Sequence, residues 1–574
     1  MTRPRGPAPW LGASAALAAL AFDPHAPAAS AKRTLGLLVA LALLAVAVAR
    51  PPRVGTRIRV APAALFFLGF VAWSGISLRW GIPSGAGDLG TWTVAEVLVL
   101  VVLPWPARRA REAAGWAALL AGGGAGAFAL VQVARGASGI FVHGGQGNAN
   151  WLGLLTALTL PLTMGMTDAG RRRALVGGSL ALQLAGLVLS HSRVAWAAAL
   201  AGSLPLAFAL AWPAVRARRA VAAALTLGAL GLSLAASPAL AGPAPGGAPA
   251  GDVPIPLAWK GRTWIWRTSA AAAVAALPAG AGLGGFAHAY LAAQGPRLAR
   301  LPPKEASRTF VNATTAHCDW LEVLVDSGPM GLVLLALALG SGGISSLRTR
   351  WLPGAAALLS FAVCALGDSP LRQPGVVLIL GLALGGLART VVLEAPARLL
   401  PMVRVALLAA TALLLADSAR GFIGQRRLTA ARDAAPDEQR ALLAGAARVD
   451  PRSGEIALER GLRELDLGHP EAALVELRRS RALLANVGTD VAIGNAEVLL
   501  GHPEAAIAAY QAAIAQNPGA FRAHANISQP LVALGRLDEA DAHLAIAAEL
   551  WPGHPRLLEM IDRAHQARIE REAP

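Results

Sequence analysis

Cysteine is almost missing: Cys318 and Cys364 are the only two in 574 residues. That excludes a multi-disulfide framework and a thiolate metal cluster. Acidic residues are also short, 34 against 51 lysines and arginines, which leaves a formal charge of +17. A surplus of that size can suit nucleic acid, but no groove-reading motif accompanies it. The arginines gather instead in short segments between apolar runs, as they do in the cytoplasmic loops of membrane proteins. Lysine, tyrosine and methionine are scarce, while alanine, glycine, proline and arginine abound. Alanine is only weakly apolar, so hydropathy understates how much of this chain suits a bilayer. Even so, mean hydropathy is +0.51. That value points to a polytopic membrane protein.

A span needs roughly 20 apolar residues. Candidate spans cover 9–22, 35–49, 61–78, 91–103, 113–133, 151–166, 174–189, 194–212 and 221–236, then 321–339, 352–366, 375–387 and 401–415. The first is read as a span, since no small-residue cleavage site follows it and more spans come at once. The expected fold is therefore all-α: a polytopic membrane helix bundle of about 12–13 spans with a large extracytoplasmic loop, followed by an α-solenoid. Alternate loops differ in arginine. One set holds Arg50, Arg53, Arg57, Arg59, Arg108, Arg109, Arg111, Arg171 to Arg173, Arg216, Arg218, Arg219, Arg348, Arg350, Arg389, Arg398 and Arg404. That set is assigned to the cytoplasm and the long loop to the outside. An odd span count puts the C-terminus outside too.

The outward loops collect glycine and polar residues. Gly144-Gly145-Gln146-Gly147-Asn148-Ala149-Asn150-Trp151 precedes a span, and Ser190-His191-Ser192-Arg193 fills a very short gap. An arginine at that depth either snorkels to the interface or faces a watery cavity or an anion. In the long loop, 237–251 is Pro/Ala/Gly-rich and reads as a linker. Residues 259–276 read as an amphipathic helix with Trp259, Arg262, Trp266 and Ser269 at helical spacing. Gly280-x-Gly282-x-Gly284-Gly285 is a poor dinucleotide fingerprint, because no strand–helix unit surrounds it; a tight turn with close backbone approach fits better. His317, with Asp319 and Glu322 close by, opens the next span. Histidine accepts a proton near neutral pH. Two arginines, Arg193 and Arg262, can hold a pyrophosphate and offset its charge as it leaves. These residue types describe transfer from a pyrophosphate-activated donor to a hydroxyl.

The ordered set resembles the O-antigen ligase and O-antigen polymerase family of bacterial envelope glycosyltransferases. It comprises Gly147-Asn148-Ala149-Asn150-Trp151, Ser190-x-Ser192-Arg193, Arg262 with Trp266, Pro278-x-Gly280-x-Gly282-x-Gly284, and His317-x-Asp319-Trp320-Leu321-Glu322 with Gly328 and Gly331. The resemblance spans roughly residues 140–335, and the multi-span pattern extends it over the first 415. It implies a polyprenyl-diphosphate-linked glycan donor and no cofactor or metal. By position, Arg193 and Arg262 would contact the diphosphate and His317 would activate the acceptor hydroxyl. Asn148, Asn150, Ser192, Trp266, Asp319 and Glu322 would support them. Asn-Ala-Asn replaces the family's Asn-Pro-Asn, and Cys318 and Trp320 stand where Asn and Tyr are common. Arg267 competes with Arg262 for the second arginine. The acceptor stays open among lipid A core, a growing glycan and a protein hydroxyl, with a bicarbonate-like transporter as a more distant alternative. The implied place is the bacterial inner membrane, with the site on its periplasmic side.

Beyond residue 415 the composition turns polar and repeats itself. Leu467-Gly468-His469-Pro470-Glu471-Ala472-Ala473 returns at Leu500–Ala506 and again, changed, at Leu534–Ala540, a period of about 33–34 residues. The pattern resembles tetratricopeptide repeats, whose stacks bind peptides or proteins. The expected domains are 1–236 and 321–416 in the membrane, 237–320 as the periplasmic loop, 417–430 as a linker, and 431–574 as repeats. Expected partners are the lipid-linked donor, the acceptor, membrane lipids and a protein met by the repeats, with no nucleic acid.

Overall fold

The computed structural model describes residues 7–49, 57–103, 105–166, 173–211, 257–394 and 399–572. Its elements follow the apolar runs. The first part contains α1 (Ala8–Leu20), α2 (Ala28–Ala49), α3 (Pro62–Ser77), α4 (Ala86–Val102), α5 (Ala107–Ala134), α6 (Ala149–Met164), α7 (Arg173–Leu189) and α8 (Arg193–Ala211). The expected span 221–236 and linker 237–251 lie outside the described residues. The long loop forms α9 (Leu257–Ala275), α10 (Phe286–Leu298) and α11 (Pro303–Thr309). Then come α12 (Asp319–Arg348), α13 (Leu352–Gly367), α14 (Pro374–Gly385) and α15 (Leu399–Asp433). The described residues are all-α as expected, with one short two-stranded antiparallel ribbon beside the helices: β1 (Arg57–Val60) pairs with β2 (Val391–Glu394), Val60 opposite Val391.

Small residues bring the helices together. The buried face of α5 is built of Ala110, Ala114, Ala117, Ala121, Gly122 and Ala125, and α1, α6 and α7 pack on it. A methyl at Gly12 would stand 2.6 Å from Trp116 Cβ. Such close approach is how helices associate when apolar surroundings supply no hydrophobic drive. Among the described residues, five helices are long and apolar enough to cross a membrane, and seven shorter apolar helices accompany them. Leu17, Leu38, Val188, Val333 and Leu413 are each more than half exposed on these helices. These side chains leave apolar surface on the outside of the helices.

The two ends of the bundle differ. At one end, arginines cap helix C-termini, where free carbonyls and the helix dipole favour cations. Arg389 donates to the carbonyls of Val102 and Leu103, Arg111 to Gly386 O at 2.9 Å, and Arg404 to Ala47 O at 2.9 Å. At the other end lie the glycine-rich turns, α9 to α11 and the carboxylates described below.

The expected linker 417–430 is absent: these residues are helical and belong to α15, which runs unbroken from apolar helix into the repeat domain. Only Gly421 and Gly424 fall in this stretch, and isolated glycines weaken a helix without ending it. At Gly424 the missing side chain lets Asp450 approach. The last turns of α15 pair with α16 (Pro436–Val449) around Leu428, Ala431, Leu443 and Ala446. The repeats therefore begin inside α15, not at 431. They continue as α17 (Gly454–Asp466) with α18 (Pro470–Leu483), α19 (Val487–Leu499) with α20 (Pro503–Gln516), α21 (Phe521–Ala533) with α22 (Leu537–Leu550), and α23 (Pro555–Glu572). Each turn places a glycine at positive φ, namely Gly468, Gly501 and Gly535. Ala473, Ala506 and Ala540 are fully buried where the paired helices touch. The C-terminal part is a tetratricopeptide-like helical stack.

Candidate functional site

The glycine-rich segment is a seam, not a phosphate cradle. Gly280, Gly282 and Gly284 all have positive φ. A methyl at Gly280 would meet Asp326 O at 2.6 Å, and one at Gly284 would meet the Gly85 amide at 2.7 Å. The amides that a nucleotide loop would present are already taken. Ala281 N donates to Val325 O (2.7 Å), Leu283 N to Ser77 Oγ (3.1 Å) and Gly284 N to Asp326 Oδ2 (3.3 Å). The other side of the seam is a break in α12 at Gly328, where φ is 65° and ψ −172°. The segment thereby fixes the first turns of α12 against the loop after α3.

His317 sits just before those turns, with φ of 48°. A non-glycine residue held in this region signals a conformation imposed by its surroundings. Two neighbours lie against it. Glu322 Oε2 accepts from Ala316 N at 2.8 Å, tying down the residue before the histidine. His317 Nδ1 lies 3.7 Å from Asp368 Oδ1, from the short loop after α13. The imidazole is 42% exposed whereas the Asp368 carboxylate is 4% exposed, so a wet ring leans on a dry carboxylate.

Arg372, in the loop between α13 and α14, holds the surrounding acids. It pairs with Glu322 Oε1 and faces Asp88 Oδ2 at 3.8 Å and Asp326 Oδ2 at 3.9 Å. Burial alone would pull its guanidinium down, but Glu322, Asp88 and Asp326 hold it above its ordinary value. Asp319 Oδ2 accepts Leu371 N at 2.8 Å. Asp319 and Glu322 also occupy the first turn of α12, where the helix dipole favours negative charge. A cavity of about 10 Å³ among these acids, Trp92 and Arg372 has room for one water.

Residues beside Arg193 and Arg262 touch residues next to this centre. Arg193 opens α8, and a methyl at Gly367, beside Asp368, would meet Val194 Cγ2 at 2.7 Å. Arg262 lies on α9, whose Ile265 packs in one cluster with Ala316 and Cys318, the two residues flanking His317. Arg262 is half-buried and Arg267 exposed. Trp266 packs at the edge of the same cluster.

Three expected supporting residues do local structural work. Ser192 caps α8, its Oγ accepting Ala195 N at 3.4 Å, and Ser190 Oγ accepts Ser192 N at 3.2 Å. Asn148 caps α6 through Asn150 N at 2.7 Å, so the Asn148 and Asn150 pair shapes a helix start. The turn before it is fastened by buried Lys32, whose Nζ donates to Gly145 O and Ala21 O, each at 2.6 Å. Sequence reasoning placed none of Arg372, Asp326, Asp88 and Asp368 in the site. The signal was present: an acid and an arginine in the short stretch 367–374, between two apolar runs.

No family model matches the chain, and no curated protein matches it. Solved structures similar to it include MamA protein, at 23% identity over 27% of this chain and 82% of that one, with a TM-score of 0.24. The TPR domain of P58(IPK) is 12% identical over 73% of this chain and 99% of that one, TM-score 0.22. Yeast Tom70 is 12% identical over 79% and 96%, TM-score 0.25. At such scores these likenesses carry no argument, and the repeat assignment rests on the paired helices, their turn glycines and their buried alanines.

Proposed function

We propose that the chain transfers an oligosaccharide from a polyprenyl diphosphate to an acceptor hydroxyl at the outer face of the bacterial inner membrane. The observation that carries this reading is the His317–Asp368 pair at the bundle end opposite the capping arginines. There an exposed imidazole is backed by a buried carboxylate, the arrangement of an oriented general base. The acceptor oxygen attacks the anomeric carbon, and its proton passes to His317. The bond from that carbon to the diphosphate oxygen breaks. The polyprenyl diphosphate leaves as an anion whose charge Arg193 and Arg262 offset. The exposed apolar belt supports a bilayer setting, in which the donor's lipid stays dissolved while its diphosphate reaches the bundle end. The repeats dock at that same end, which supports placing them outside the cytoplasm.

The test is reconstitution of purified protein with a polyprenyl-diphosphate oligosaccharide and a hydroxyl acceptor. The wild type should transfer glycan, and His317→Ala should lose at least about 10²-fold while inserting normally. Equal transfer by the variant would remove His317 from the chemistry.

A further inference from the structure

The repeat stack touches the long loop through two glycines, one from each side. A methyl at Gly295 of α10 would run into the Ala515 carbonyl at the end of α20. A methyl at Gly519, after α20, would run into the Ser307 amide and stand 2.6 Å from Pro303 O of α11. Glycine is thus what lets the two backbones meet. Helix α10 meets α20, and α11 meets α22, along the same seam.

The residue before Gly295 is Gln294, which is fully buried. Its Oε1 accepts Val311 N at 2.9 Å, Trp264 Nε1 at 3.2 Å and the Tyr290 hydroxyl at 3.5 Å. Its Nε2 donates to Val311 O at 3.1 Å. One side chain therefore ties the helix that carries Arg262 to the segment that leads to His317. That segment is held at its far end by Glu322 on Ala316 N. A buried amide serving several partners fixes their geometry, because each unmade bond costs desolvation.

We infer that Gln294 is a positioning residue through which the docked repeat stack sets where the Arg262 helix and the His317 segment lie. The repeats are then part of the site's scaffold, and whatever pulls them from the loop loosens the site. This rests on the reading of Arg262 and His317 given above. The structural half can be tested without any substrate.

Amide hydrogen exchange over 310–316 would be followed in the full-length protein in detergent. The wild type would be compared with Gly295→Ala, Gly519→Ala and Gln294→Leu. Gly295→Ala improves helix propensity within α10, so a loosening there comes from the seam and not from the helix. Each variant should raise exchange over 310–316 at least tenfold while α12 beyond Gly331 stays protected. Gln294→Glu keeps the acceptor for Val311 N and Trp264 Nε1 and should recover part of the protection that leucine loses. Unchanged exchange in both glycine variants would overturn the coupling. Raised exchange with full transfer activity would overturn the positioning role. A wild type that transfers no glycan would remove the proposed chemistry, while the exchange data would still decide the coupling.

Discussion

His317 Nδ1 lies 3.7 Å from Asp368 Oδ1, and the two residues arrive from opposite ends of separate helices. The separation exceeds a hydrogen bond, but His317 Nδ1 has no other partner among the described residues. A small rotation of the ring closes the pair, as happens when a site tightens around substrate. Asp368 is itself fixed, its Oδ1 accepting Ser369 N at 2.9 Å. Asp368→Asn keeps the shape and removes the charge that would steady a protonated ring. The expected result is a fall in transfer rate of about 10²-fold or more, with Asp368→Glu intermediate. Single-turnover transfer by the reconstituted protein measures it, and a rate unchanged in Asp368→Asn would detach this carboxylate from the histidine.

Arg372 offers a test that needs no activity. It neutralises Glu322 and faces Asp88 and Asp326, all within its reach and all poorly exposed. Arg372→Leu would leave Glu322 and Asp326 buried without their cation, while Asp88 keeps Arg33 beside it, a loss on the order of 3–5 kcal/mol. Thermal unfolding in detergent should show a clear drop. The double variant Arg372→Leu with Glu322→Gln should recover part of it, since the nearest uncompensated charge is gone. A single variant as stable as wild type would mean the acids are compensated by something other than Arg372.

Much of this was legible from residue order, and the rest was not for physical reasons. Apolar runs locate helices, and twelve of the expected spans coincide with observed helices to within a few residues at most ends. Helix α12 runs past the expected end, to Arg348, because Gly340, Gly342 and Gly343 weaken the helix there without ending it. Turn glycines at a fixed period mark the repeats, because only the turn needs positive φ. His317, Asp319 and Glu322 share one helix start, so their proximity is written locally. Asp88 comes from the first turn of α4, and Asp368 and Arg372 from the loop between α13 and α14, and nothing local says that they meet. The continuity of α15 was hidden by its change from apolar to polar composition, which alters what the helix faces and not whether it is a helix.

Gly328 makes a sharp claim about backbone. Its φ of 65° with ψ of −172° falls in a region essentially reserved for glycine. A methyl there would also stand 2.6 Å from Pro278 O. Gly328→Ala should cost more than the strain alone, roughly 1–3 kcal/mol, and lower the yield of monodisperse protein. Gly340, farther along α12, has open space around it. Gly340→Ala should be neutral or stabilising by up to about 1 kcal/mol. Comparing the two by thermal unfolding separates the seam from helix propensity, and equal effects would remove the seam's importance.

His524 makes the stability of the repeats depend on pH. It is 3% exposed, with Nε2 3.0 Å from Pro518 O and Nδ1 3.0 Å from His543 Nδ1. Donation to the Pro518 carbonyl requires a proton on Nε2, so Nδ1 accepts and His543 donates. A further proton would set donor against donor. Burial, with a smaller push from His543 and against the pull of the Pro518 carbonyl, lowers His524 from 6.5 to about 4. Burial lowers His543 too, with Glu539 opposing. Above 6.5 neither folded nor unfolded chain carries this proton. As pH falls from 6.5 toward 4, the unfolded chain takes it and the folded one does not, so stability declines through that window and levels below it. Over the whole window the decline for His524 is on the order of 3 kcal/mol. Urea unfolding of the repeats, followed by protease susceptibility at pH 7.5 and pH 5, should show it. His524→Gln retains a donor and an acceptor without titrating, so its slope should be flatter. An identical slope in that variant would place the pH sensitivity elsewhere. Pro518 adjoins Gly519, so the same protonation should loosen the seam with the long loop before the stack itself unfolds.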